Sequence, residues 1–201
     1  KILSIGFFAE LDQAVIWRGP MAVKALKQLI FDADWGDLDY LIIDTPPGTG
    51  DVHLSIVQSL PLTGVAVVTT PQPVALADAK KAISMFKLEN IDVPVLGLIE
   101  NMSWFAPKEH PYEKYFIFGE NGGVDLCKSL NLDLIGQIPL VQTIRESGDV
   151  GRPAVLQQET IVESYYSSLC DRLIENIDKR NSNLEKTKVS SVEHGAPKCS
   201  S

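Results

Sequence analysis

The segment from Leu41 to Asp51, which reads LIIDTPPGTGD, holds the residue types best suited to chemistry. An apolar run ends in Asp44, and a turn rich in glycine and proline follows it. Ligands of open α/β sheets bind at the carboxyl ends of the strands, and Mg²⁺ is usually held by one or two carboxylates and phosphate oxygens. Gly48 and Gly50 allow backbone N–H groups to approach an anion closely. The segment therefore predicts a phosphate and Mg²⁺ site; the alternative is an aspartate that only caps a turn.

Short apolar runs and amphipathic segments alternate along the chain. Runs rich in Val, Ile and Leu at consecutive positions are typical of strands buried on both faces of a parallel sheet. The predicted strands are Ile2–Phe8, Tyr40–Asp44, Gly64–Thr69, Val93–Glu100 and Leu134–Ile138. Apolar residues at helical spacing predict helices at residues 20–34, Val52–Ser59, 73–89, Val124–Leu130 and Thr160–Asp178. The alternation predicts an α/β fold with a doubly wound, mostly parallel sheet.

The overall composition excludes some classes of partner. The chain has 201 residues, a formal net charge of −8 and 45% hydrophobic residues. A general nucleic-acid binder needs a basic face that displaces counterions from phosphates, so we expect no nucleic-acid partner. No apolar run approaches the roughly 18 residues of a membrane span, and the C-terminal end has no basic amphipathic helix. We therefore also expect no stable membrane association.

The three cysteines are widely spaced and odd in number, so they predict no disulfide framework and a reducing, cytoplasmic compartment. Cys127 and Cys170 lie near leucines at helical spacing and are interpreted as core thiols. Cys199 lies in a segment rich in serine, lysine and asparagine. This composition predicts a disordered polar tail at residues 179–201, after a single domain of residues 1–178.

Five segments together resemble the Mrp/ApbC family, P-loop ATPases of the MinD-like group that are thought to carry iron–sulfur clusters to apo-proteins. They are LIIDTPPGTGD, WRGPM at Trp17–Met21, ENMS at Glu100–Ser103, GQIPL at Gly136–Leu140 and RESGDVGRP at Arg145–Pro153. They occur in the family's order over about residues 1–170. The resemblance implies ATP and Mg²⁺ as cofactors, a homodimer, and apo iron–sulfur proteins as clients.

The resemblance also implies roles for single residues. Asp44 is similar to the Walker-B aspartate that holds Mg²⁺ through water, and Gly48 to the switch-II glycine that faces the γ-phosphate, with Gly50 in the same turn. Asn101 is similar to the asparagine at the adenine edge, since its amide can both donate and accept. Pro139 resembles the residue that walls the base. Taken alone, Asn101 is better explained as a strand-end residue that bonds its own turn.

The first departure from the family pattern is a missing phosphate-binding loop. No G-x-x-x-x-G-K-[ST] string occurs in the 201 residues, although the family carries one on its first strand–helix unit. We interpret the chain as the C-terminal portion of a P-loop ATPase, incomplete at its N-terminus and inactive alone. Such a portion lacks the central strand of its sheet and exposes apolar edges. The alternative is a scaffold that does not bind ATP.

The second departure concerns the iron–sulfur cluster. The family's C-x-x-C, whose thiolates can share a cluster across a dimer, is absent, and Ser103–Pro111 reads SWFAPKEHP. His110 in this stretch is a candidate metal ligand, although an exposed histidine beside lysine and glutamate usually has no such role. Cluster binding is thus implied by the family alone, and a nucleotide-gated interaction module without cluster cargo is the alternative. The aromatic loop from Trp104 to Phe118 predicts a partner-docking surface or a loop folded on its own aromatic core.

Overall fold

The computed structural model describes residues 1–8, 19–157 and 160–189. The chain divides into two compact units, Lys1–Pro61 with the residues from Lys188 onward, and Leu62–Thr187. Trp17, Arg18 and Cys199 lie outside the described residues. No helix in the described ranges is both long and apolar enough to cross a bilayer.

The described residues of the first unit contain two α-helices, and both were predicted. Helix α1 spans Gly19–Phe31 and helix α2 spans Asp51–Val57. Pro20 lies in the first turn of α1, where a missing N–H costs no intrahelical hydrogen bond. Helix α2 begins directly after Gly50, so the glycine-rich turn leads straight into it.

Two predicted strands of the first unit are wrong. Ile2–Phe8 contains a 3-10 helix at Ile5–Phe8, and Tyr40–Asp44 has no regular secondary structure. A strand needs a neighbouring strand to pair its backbone N–H and C=O groups, and the described residues of this unit form no strand. Each segment leaves at least one large apolar side chain uncovered, since Ile2 and Ile42 are each 86% exposed.

The second unit is built on a parallel sheet in which the strand order is β1–β2–β3. Strand β1 spans Val65–Thr69, β2 spans Val95–Phe105 and β3 spans Leu134–Leu140. All three strands were predicted. Strands β2 and β3 continue past their predicted ends, because pairing between them resumes at Phe105 and Leu140 after an irregularity.

Among the residues that the structure describes, four α-helices and a 3-10 helix at Ala154–Leu156 accompany this sheet. The α-helices are named in chain order. They are α3 (Pro73–Phe86), α4 (Gly122–Leu130), α5 (Gln142–Asp149) and α6 (Ile161–Asn183). Helices α3, α4 and α6 were predicted, whereas α5 was not, because its polar sequence QTIRESGD has no apolar periodicity. Helix α6 also extends past Asp178, so residues 179–183 of the predicted tail are helical; the rest of that prediction stays untested.

Helices cover both faces of the sheet. On one face, Leu98 of β2 packs with buried residues of α3 and α4, among them Ile83 and Cys127. Successive strand residues point to opposite faces, so Ile99 and its partner Gly136 face the other way. There, a Cβ on Gly136 would lie 3.3 Å from Leu169 of α6. The doubly wound arrangement is therefore confirmed.

Candidate functional site

The turn between Asp44 and Gly50 is open to solvent in the first unit. All its residues are exposed, and a Cβ at Gly48 or Gly50 would meet no atom within 4 Å. Gly48 has a φ of +101°, a backbone conformation that residues other than glycine rarely adopt. The turn therefore places the accessible backbone of two glycines beside an exposed carboxylate. A carboxylate suits Mg²⁺, and backbone N–H groups suit phosphate.

His53 touches this turn, and sequence reasoning missed it. Its Nε2 lies 3.2 Å from Thr45 Oγ1, and the residue is only 6% exposed. Burial lowers the pKa of His53, so the ring is neutral near pH 7. His53 thus connects α2 to the residue after Asp44, and its place in the first turn after Gly50 is the only sequence signal for this contact.

Asn101 lies in the second half of β2, four residues before its last residue Phe105, beside an interruption in the sheet. It pairs with Ile138, and the register then shifts before pairing resumes at Phe105. The Asn101 Oδ1 accepts a hydrogen bond from Met102 N–H at 2.9 Å, which is the local turn contact expected for this residue taken alone. Its Nδ2 has no partner among the described residues and remains available as a donor.

Pro139 is buried in β3, directly after the Ile138 that pairs with Asn101. The two predicted base-binding residues therefore lie on neighbouring strands, at the same end of the sheet. The carboxyl end of a parallel sheet is where such folds bind ligands. The phosphate-side candidates Asp44, Gly48 and Gly50 belong to the first unit.

Glu100, the residue that precedes Asn101 in β2, has a buried carboxylate, and no site role was predicted for it. Glu100 is 1% exposed; its Oε2 accepts from the Gly123 N–H at 2.5 Å and its Oε1 from Gln137 Nε2 at 2.8 Å. Gly123 lies in the first turn of α4, where backbone N–H groups lack intrahelical partners and favour a negative charge. Glu100 therefore connects β2 to α4 and to β3.

The described residues contain no group of three or more side chains arranged to hold a metal ion. His110 is well exposed, and its Nδ1 lies 3.7 Å from Glu113 Oε1. The structure thus gives the candidate ligand His110 a carboxylate neighbour and no second metal-binding partner, so nothing in the described ranges supports its role as a ligand.

The two described cysteines differ in their surroundings. Cys127 is buried in the core, as predicted, and burial raises the pKa of its thiol to about 11. The prediction that Cys170 is also a core thiol is wrong, because Cys170 is exposed. Its neighbour Leu169 faces the sheet through Gly136, and one helical step of about 100° turns the next side chain away from that contact.

The aromatic loop after β2 is partly folded on itself. Phe105 and Tyr115 form an antiparallel bridge, with Phe105 N–H donating to Tyr115 O at 2.8 Å. Trp104 is 5% exposed, packs edge-on against Tyr165 of α6, and carries the Lys114 ammonium 3.9 Å from its ring centre. These contacts favour the self-folded interpretation for the start of the loop, while Tyr112 at its tip is 87% exposed.

A family model described as the NUBPL iron-transfer P-loop NTPase matches residues 1–174. The chain belongs to this family. An iron–sulfur cluster carrier protein of Synechocystis is 48% identical over 158 residues, which cover 79% of this chain and 44% of that protein. The chain spans about half the length of the curated relatives that it matches. The resemblance to the Mrp/ApbC group is therefore confirmed.

Solved structures of related proteins agree with the fold. A nucleotide-binding protein of Archaeoglobus fulgidus in complex with ADP is 33% identical, with a TM-score of 0.58 over 66% of this chain and 53% of that one. The cell division ATPase MinD of Pyrococcus furiosus has a TM-score of 0.52 over 81% of this chain and 63% of its own, at 20% identity. At that identity the likeness to MinD shows the α/β fold alone.

Proposed function

We propose that the complete protein containing this chain binds and hydrolyses ATP and carries iron–sulfur clusters to apo-proteins. The observation that carries the proposal is the family match over residues 1–174. The Synechocystis relative is named as a cluster carrier, and the Archaeoglobus structure holds ADP. Both names support a nucleotide-dependent carrier, which we further propose to be a cytoplasmic homodimer.

The residues that we propose for Mg²⁺ and phosphate lie in the first unit. In the first unit, Asp44 holds Mg²⁺ through water, while backbone N–H groups at Gly48 and Gly50 face the phosphates. The exposed carboxylate and the open space at both glycines fit this role. When bound, Mg²⁺ neutralises charge on the phosphate oxygens.

In the second unit, Asn101 and Pro139 form the adenine site. The free Nδ2 of Asn101 can donate to a ring nitrogen of the base, and the neighbouring proline offers an apolar wall. Catalysis of phosphoryl transfer depends mainly on positioning and charge stabilisation. Since no G-x-x-x-x-G-K-[ST] string occurs in the 201 residues, we expect this chain alone to be inactive.

The experiment that tests the nucleotide part of the proposal is Asp44→Asn in the complete protein. Loss of the carboxylate should abolish Mg²⁺-dependent ATP hydrolysis, because an amide holds the cation poorly. Asp39→Asn is the matched control: this residue is also exposed, lies five positions upstream, and stands outside the turn. Full turnover in Asp44→Asn would reject the Walker-B assignment.

A nucleotide-gated interaction module without cluster cargo is the second candidate, and the site chemistry favours it at one point. The chain has no C-x-x-C, and the described residues hold no group of three or more His, Cys, Asp or Glu side chains that could bind a metal ion. The buried Cys127 thiol, with its raised pKa, is a poor source of thiolate. Iron and sulfide content after anaerobic reconstitution separates the two candidates.

A further inference from the structure

We propose that Glu100 and Ser103 are positioning residues that hold Asn101 in place for the adenine base. Both side chains support the β2 bulge, defined here as Met102–Trp104, the stretch between the paired residues Asn101 and Phe105 over which β2 leaves its regular pairing with β3. The inference rests on the proposed function, because it takes Asn101 as the residue that contacts adenine.

The geometry of the bulge explains why it needs support. Three residues of β2 lie between the partners Asn101 and Phe105, whereas Pro139 alone lies between Ile138 and Leu140 on β3. Proline has no N–H to donate to the ladder, so regular pairing is interrupted at this point. Met102 in the bulge has a φ of +55°, which is unusual for a residue other than glycine. Bulges and strained residues of this kind re-aim side chains at functional sites.

Ser103 closes the bulge from inside the protein. Its Oγ donates to the Glu100 carbonyl oxygen at 2.8 Å, and the residue is 1% exposed. Because water has little access to this hydroxyl, loss of the hydrogen bond would leave the Glu100 carbonyl without that partner in a dry site. The hydroxyl therefore fixes the distance between the two sides of the Asn101–Met102 turn.

Glu100 anchors the bulge to the rest of the unit. Its two carboxylate oxygens accept hydrogen bonds from α4 and β3, through Gly123 N–H and Gln137 Nε2. A carboxylate is expensive to bury unless hydrogen bonds satisfy it, and an apolar side chain here would avoid that cost. Replacing Glu100 by an apolar residue would, however, remove both hydrogen bonds, and the backbone that carries Asn101 would no longer be held in a fixed orientation.

The hydrogen bonding of the Asn101 amide determines which of its atoms can bind a ligand. Its Oδ1 accepts from Met102 N–H, so Nδ2, which has no partner among the described residues, is left as the donor for a ligand. If the bulge relaxes, Asn101 must be ordered again each time a nucleotide binds, and this ordering reduces affinity. Glu100 and Ser103 thus act through Asn101 and need not touch the base.

The test measures ATP affinity by equilibrium titration of the complete protein with Mg²⁺ present, using Ser103→Ala and Glu100→Gln. We expect each to weaken ATP binding by about fivefold, the value of one net hydrogen bond of about 1 kcal/mol. Hydrogen exchange of the bulge amides, measured without nucleotide, should become faster in both. Ser129→Ala is the matched control, since that hydroxyl also donates to a carbonyl three residues earlier, Leu126 O, at 2.8 Å.

Asn101→Ala separates the possible failures. ATP binds through Asn101 if Asn101→Ala weakens the affinity of the unchanged protein. If it does so, and Ser103→Ala and Glu100→Gln still bind ATP as tightly as the Ser129→Ala control, the positioning role is overturned. If the unchanged protein binds no ATP, the proposed function itself fails and this inference falls with it. Weakened binding and faster bulge exchange in both variants, with neither change in the control, support the proposal.

Discussion

Three polar side chains are buried near the candidate site residues. Glu100, Ser103 and His53 are all less than a tenth exposed. The buried oxygens of the first two accept or donate hydrogen bonds, while the His53 Nδ1 has no hydrogen-bond partner in the part of the chain that the structure describes. Loss of a hydrogen bond at a buried polar atom lowers the free energy of unfolding. We therefore expect substitutions at these three positions to change stability measurably.

His53 should make stability depend on pH. Burial lowers its pKa below the ordinary value of 6.5, so the unfolded state binds more protons than the folded state below that value. The contribution of the neutral ring is therefore complete above about pH 6.5 and is lost as the pH falls through the lowered folded value. Urea unfolding at pH 5 to 7.5 measures this, and His53→Gln should flatten the dependence. An unchanged slope in the variant would show that His53 is not its source.

The cysteines should react at very different rates. Cys170 is exposed and should be alkylated by iodoacetamide in the native protein, whereas Cys127 is buried with a pKa raised to about 11 and should be protected. Mass spectrometry of the peptides gives each rate separately, and Cys170→Ser removes the fast site as a control. Equal native rates at both positions would contradict the placement of Cys127 in the core.

At the scale of elements, the contact between β2 and α4 requires a glycine. A Cβ on Gly123 would lie 2.6 Å from Glu100 Oε2 and 3.2 Å from Glu100 Cβ. Gly123→Ala should therefore lower the free energy of unfolding by about 1–3 kcal/mol, since the helix must move or the carboxylate must lose its hydrogen bond. Chemical denaturation measures the change.

Gly148→Ala provides the control for that substitution. Gly148 lies in α5, and a Cβ there would meet no atom within 4 Å. This change should be neutral or should stabilise by about 0.4–1 kcal/mol, because alanine restricts the unfolded chain. If Gly123→Ala were equally harmless, the close packing of α4 on Glu100 would be wrong.

Apolar runs predict strands only where another strand is present to pair with them. The runs at 64–69, 93–100 and 134–138 form the sheet, while Ile2–Phe8 and Tyr40–Asp44 have similar composition and no strand partner among the described residues. Strand formation depends on partners far away in the chain, which composition alone does not contain. Helices depend on local periodicity and were predicted better, apart from the polar α5.

The same distinction holds for the candidate site. The Asp44–Gly50 turn was proposed as a phosphate and Mg²⁺ site from its residue types and local order, whereas Asn101 received its proposed role only through the resemblance to the Mrp/ApbC family. The role of Glu100 depends on Gly123 and Gln137, which lie 23 and 37 residues further along the chain. Contacts of that range follow only from the folded structure.

At the scale of the whole molecule, each unit carries candidate residues of its own. The first unit holds the phosphate-side turn, and the second holds the adenine-side strand ends. The chain belongs to a family of iron-transfer P-loop NTPases and spans about half the length of its curated relatives. Activity and cargo are therefore properties to be measured on the complete protein.

Anaerobic reconstitution of the complete protein with iron and sulfide tests the central claim most directly. After desalting, iron and sulfide content and the visible absorption spectrum report whether a cluster is bound. The proposed carrier function predicts stable, stoichiometric iron and sulfide that can be passed to an apo iron–sulfur protein. A protein that hydrolyses ATP but retains neither iron nor sulfide would contradict the carrier function and identify a nucleotide-gated interaction module.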